Sequence, residues 1–79
     1  MEITVKLFAT LRKYLPEGSD RFSCHLQLDS DVKVLDVIKK LGIPEDMPKI
    51  ILINGIHAKI DQKLKNGDLV AIFPPVAGG

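Results

Sequence analysis

The sequence predicts an α+β fold, a mixed sheet of about five strands with one main helix packed across one face. Three observations carry that reading. Short segments with alternating or continuous apolar character recur along the chain, each of strand length. Val34, Val37, Ile38 and Leu41 form a helical stripe, with apolar residues at i, i+3, i+4 and i+7. Asn54-Gly55 sits between two β-prone runs, the strongest short-range hairpin signal in the chain.

The elements follow in order. Ile3-Thr4-Val5-Lys6-Leu7 alternates, so Ile3, Val5 and Leu7 point inward and Phe8 falls on the outward face. Ala9 to Leu15 reads as a short helix, with Leu11 and Leu15 four apart and Pro16 closing it. Glu17-Gly18-Ser19-Asp20 is turn material. Phe22, Cys24, Leu26 and Leu28 alternate with polar residues, marking a second strand in which Cys24 is a small core residue and His25 faces solvent. The helix around Val34–Leu41 has Gly42 placed as its C-terminal cap and Pro44 beyond it. Its start is less well signalled: Ser30 or Asp31 could cap, but Lys33 stands nearest the apolar pattern.

Lys49-Ile50-Ile51-Leu52-Ile53 is a third strand. Asn54 and Gly55 both accept the positive φ of a type I′ turn, so Ile53 and Ile56 pair across it on one face, with His57 and Lys59 on the other. Asn66-Gly67-Asp68 turns the chain into the last strand, Leu69–Phe73. The return through the helix permits a parallel pairing of the last strand with the first. One domain over residues 1–79 is expected, with a flexible tail from 74 to 79.

Composition bounds the function. The chain of 79 residues is 46% hydrophobic, which is too apolar for disorder. With few aromatic residues, the core must be mostly Ile, Leu and Val. A formal net charge of +1 gives no nucleic-acid footprint, which requires a clustered basic excess. The single cysteine excludes an internal disulfide and any multi-cysteine zinc motif, and His25 and His57 lack chelating spacing, so no metal site is expected. No apolar run reaches membrane-span length and no leader pattern opens the chain, so a soluble cytoplasmic protein without membrane contact is expected. No constellation for acid–base or nucleophilic catalysis is visible.

The most informative segment is the ending, Pro74-Pro75-Val76-Ala77-Gly78-Gly79. Gly78 and Gly79 form the narrowest peptide available and can enter a channel that rejects side chains. Pro74 and Pro75 favour an extended exit from the sheet, and six residues reach roughly 20 Å. The working group this suggests is the carboxylate of Gly79.

Three segments together carry a family resemblance. Phe8-Ala9-Thr10-Leu11-Arg12, Ile53-Asn54-Gly55, and Asn66-Gly67-Asp68 through Phe73-Pro74-Pro75-Val76-Ala77-Gly78-Gly79 resemble the small, sulfur-carrying subunit of molybdopterin synthase, a ubiquitin-like β-grasp protein. The resemblance implies a non-catalytic subunit that binds no cofactor itself. A ubiquitin-activating-like adenylyltransferase would use ATP to adenylate Gly79, and a sulfur donor protein would then leave a thiocarboxylate there. The tail would enter the large synthase subunit, in a heterotetramer, and give sulfur to a pterin precursor to build the molybdopterin dithiolene. Outward parity and the matching segments assign partner binding to Phe8, Leu69, Ala71 and Phe73, with Arg12 at the rim.

The ending departs from that family at Ala77, where Ser or Thr is common, and an apolar-Ala-Gly-Gly ending also resembles thiamine-pathway sulfur carriers. Those usually lack the Phe-Ala-x-Leu-Arg segment and the Pro-Pro pair. A covalent modifier that couples Gly79 to lysines would share the first chemical step. A β-grasp interaction module with an idle terminus is the third alternative.

Overall fold

Apolar patterning becomes strand close to where the sequence predicts it. In the computed structural model, which describes residues 1–75, the strands are β1 (Glu2–Leu7), β2 (Ser23–Gln27), β3 (Ile50–Ile53), β4 (Ile56–His57) and β5 (Leu69–Phe73). They form one mixed sheet in the order β2-β1-β5-β3-β4. β1 and β5 run parallel at its centre, and the other neighbours are antiparallel. One α-helix, α1 (Val34–Leu41), covers the inner face.

The inner face is the core. Ile3, Val5 and Leu7 of β1, Cys24 and Leu26 of β2, Ile51 of β3, and Val70 and Ile72 of β5 are buried in one cluster with Val34, Val37 and Ile38 of α1. Burial of each such aliphatic side chain contributes roughly 2 kcal/mol. Ile43, just past the helix, and Leu64 close its ends. The Cys24 thiol belongs to this cluster, and burial pushes its pKa up, the opposite of what a nucleophile needs.

The ends of α1 are satisfied by backbone more than by side-chain caps. The Lys33 N–H donates to the Asp36 carboxylate at 2.8 Å, which is half of a capping box. The amides of Val34 and Leu35 donate to the carbonyls of Gln62 and Ile60, so the 60–62 loop is strapped across the start of the helix. Gly42 takes the left-handed conformation at φ 80°, and the Ile43 amide bonds back to Ile38.

The short helix expected after β1 is present and is a 3-10 helix over Ala9–Tyr14, closed by i to i+3 bonds from Leu11 to Phe8 and from Leu15 to Arg12. Only Leu11 is buried there, while Leu15 is half-buried. Two expectations need correction. Phe22 does not share the burial of Cys24 and Leu26: the chain bends at Arg21 and Phe22, β2 begins at Ser23, and Phe22 is 40% exposed. The hairpin forms as predicted, with Asn54 at φ 51° and Gly55 at φ 85°, but β4 is two residues long and ends before Lys59. Ile56 pairs with Ile53 yet is 72% exposed.

Among the described residues, no helix is long and apolar enough to cross a membrane.

Candidate functional site at the exit of the last strand

The outer face of the sheet is split in two. On β1 and β2 it is polar, with cross-strand hydrogen bonds between Thr4 Oγ1 and His25 Nδ1 (3.1 Å) and from Gln27 Nε2 to Glu2 Oε2 (3.0 Å). On β5 and β3 it is apolar. Leu69, Ala71 and Phe73 alternate with the buried Val70 and Ile72, and the register sets Ala71 opposite Leu52 and Phe73 opposite Ile50. All five outer residues are half-buried, on the face of the sheet opposite α1.

Aromatic stacking closes one end of this stripe. The Phe8 ring lies 4.3 Å from the Phe73 ring, nearly parallel at 5°, and 6.0 Å from Phe22 on its other side. The Arg12 guanidinium sits over Phe22, 5.2 Å from the ring centroid. Such aromatic pairs contribute about 1 kcal/mol beyond their buried area, and an exposed cation–π contact about half that. The Phe8 amide also donates to the Ile72 carbonyl, so backbone and ring together fix where β5 ends. Phe73 is followed at once by Pro74, half-buried, and Pro75, exposed.

The opposite end of β5 is fixed by polar groups. Asn54 N–H donates to the Leu69 carbonyl, and Leu69 N–H donates to Asn54 Oδ1 at 2.9 Å. Asn54 Nδ2 donates to Asp68 Oδ1 at 2.9 Å, and the Lys65 amide donates to Asp68 Oδ2 at 2.7 Å. The Asp68 carbonyl receives the Thr4 amide. Asp68, only 9% exposed, thus ties the hairpin turn, the 65–68 turn and β1 into one polar knot. Asn is needed at position 54 for its amide as well as for its positive φ.

The sequence-predicted partner residues Phe8, Leu69, Ala71 and Phe73 therefore share one face, and Arg12 stands at its aromatic end. Sequence reasoning missed Phe22, Ile50 and Leu52. A signal for the last two was available: an unbroken apolar run such as Ile50–Ile53 means that both faces of the strand are apolar. Pro74 and Pro75 of the predicted tail are in place, whereas Val76, Ala77, Gly78 and Gly79 lie outside the described residues. Both histidines are exposed. Among the described residues no three His, Cys, Asp or Glu side chains gather where they could hold a metal ion.

Comparison with known proteins agrees with this architecture. The chain is 31% identical to small archaeal modifier protein 3 of Haloferax volcanii over a 96-residue alignment covering 100% of both chains. The crystal structure of SAMP1 from the same organism superposes with a TM-score of 0.75 at 28% identity, covering all of both chains. A Pyrococcus furiosus protein provisionally assigned as molybdopterin converting factor subunit 1 gives a TM-score of 0.70 at 28% identity, over 95% of this chain and 98% of that one. The profile of the ThiS family matches residues 5–79. With a β-grasp sheet, a single α-helix across it and a match over nearly its whole length, the chain belongs to the ThiS family of ubiquitin-like proteins.

Proposed function

We propose that this chain is a sulfur carrier whose reactive group is the Gly79 carboxylate. An activating enzyme joins that carboxylate to the α-phosphate of ATP and releases pyrophosphate. A sulfur donor then displaces AMP and leaves a thiocarboxylate. A carboxylate is a poor electrophile, so the adenylate supplies the leaving group, and the thiocarboxylate that follows is a competent sulfur nucleophile. The acceptor in this reading is a pterin precursor, and the product is the dithiolene of molybdopterin.

The observation that carries the reading is the seating of Phe73. The Phe8–Phe73 stack anchors the last strand beside an apolar stripe, and Pro74-Pro75 follow it at once in the chain. A partner docked on that stripe receives the following residues at a fixed point of departure. The likeness to the Pyrococcus furiosus protein supports the pterin as acceptor.

A second reading has its own support. The 31% identical relative carries the name of a modifier protein, which favours transfer of the activated Gly79 acyl group to lysines. Both readings share the adenylate and part after it.

Intact mass after incubation with the activating enzyme, ATP and a sulfur source tests the first reading. The expected product has one oxygen replaced by sulfur, mapped to Gly79. A chain shortened to Gly78 should fail, because removing a residue withdraws the carboxylate by about 3.3 Å and a misplacement of about 1 Å already costs roughly 100-fold in rate. Efficient sulfur incorporation on the shortened chain would sink the assignment of Gly79. Isopeptide adducts without any sulfur-terminated chain would transfer it to the modifier reading.

A further inference from the structure

A second surface lies at the other end of β5, on the helix side of the sheet. The β3–β4 hairpin and the 62–65 loop enclose an open cleft of about 290 Å³. Its apolar lining is Ile53, Ile56 and Ala58, with Ile56 72% exposed. The 60–64 segment is held in place by backbone bonds from Val34 to Gln62, Leu35 to Ile60 and Leu64 to Val32. The cleft is therefore a built feature of the fold.

Its exposed charges are cationic. Lys63 and Lys65 line it as exposed cations. The one lining carboxylate, Asp68, is buried, and its two oxygens are engaged by Asn54 and the Lys65 amide. Lys63 shares a 3.6 Å ion pair with Asp31, whose side chain is 84% exposed, so a ligand carboxylate can replace it at little cost. A largely exposed isoleucine sharing one cleft with two exposed lysines matches a ligand that carries an apolar side chain and neighbouring acids.

The geometry points to this cleft as a docking site for an acidic peptide segment of a partner protein, with an apolar side chain against Ile56 and carboxylates on Lys63 and Lys65. None of its lining residues belongs to the outer apolar stripe. It lies at the Leu69 end of β5, and Leu69 and Phe73 are about 13 Å apart along the strand. A partner seated here leaves the Phe73 end free, so this site can be filled while the tail is in use. The proposal does not depend on the chemistry at Gly79.

An amide-shift titration of the full chain tests it, using the probe acetyl-Glu-Asp-Ile-Glu-Glu-Leu-Asp-Glu-amide and its Gln/Asn counterpart. Shifts should concentrate at Ile56, His57, Ala58, Lys63 and Lys65 with the acidic probe, and weaken as salt is raised. K63E/K65E should lower the affinity by about tenfold or more, and Ile56→Asp should abolish binding. All three positions are exposed, so the variants should keep the wild-type spectrum elsewhere and accept sulfur at Gly79 normally. That mass readout separates failure here from failure of the carrier reading. Equal binding of the neutral probe, shifts confined to the outer face, or no shifts at all would overturn the proposal. Concentration-dependent shifts at the cleft without probe would overturn it in favour of a second copy of this chain.

Discussion

The two ends of β5 are fixed by opposite means. At Leu69 the strand is held by hydrogen bonds converging on Asn54 and Asp68; at Phe73 it is held by a ring stacked on Phe8. Hydrogen bonds to a buried carboxylate are directional and costly to leave unmade, so the polar end sets register. Ring stacking is broad in geometry and leaves an apolar surface that another molecule can share. The polar end fixes the register of the strand, and the aromatic end leaves an apolar surface where the strand stops.

The largest effect should come from the polar end. Asp68→Ala strands Asn54 Nδ2 and the Lys65 amide and should lower unfolding free energy by about 3 kcal/mol. Urea denaturation measures it, and a loss below about 1 kcal/mol would mean that the knot does not set register. Phe73→Ala should cost less stability, about 1.5 kcal/mol, because the ring is only half-buried. The same variant should weaken partner binding by about 2 kcal/mol or more. Calorimetry on the folded variant separates the two effects, and unchanged affinity would remove Phe73 from the docking face. Arg12→Ala should change stability least, by about 0.5 kcal/mol, through the lost contact with Phe22. If stability moves while partner affinity does not, Arg12 serves only to hold the Phe22 ring.

Much of this contrast is legible in the sequence. Alternation in Leu69–Phe73 correctly places Val70 and Ile72 inside, and Asn54-Gly55 announces the hairpin. The pattern fails where the backbone leaves the pleat. Phe22 has the parity of Cys24, but parity transmits only along a continuous strand, and the bend at residues 21 and 22 turns the ring out onto Phe8. The spacing of Leu11 and Leu15 suits an α-helix, yet Ala9 adopts φ 52°, and the chain tightens into a 3-10 helix. The polar knot joins residues far apart in sequence, Thr4, Asn54 and Asp68, and local patterns carry no trace of such a meeting.

The parallel pairing of β1 with β5 has a consequence for the order of synthesis. The central position of the sheet, between β1 and β3, is filled by the last of the five described strands to be made. Until Leu69–Phe73 emerges, β1 and β3 lack their common neighbour, and the core lacks Val70 and Ile72. Closure awaits contacts between the two extremes of the chain, which slows folding and makes it all-or-none. The outer apolar stripe does not exist in a nascent chain, since three of its residues belong to β5. An enzyme that grips that stripe before touching the tail is thereby confined to chains whose translation has passed Phe73.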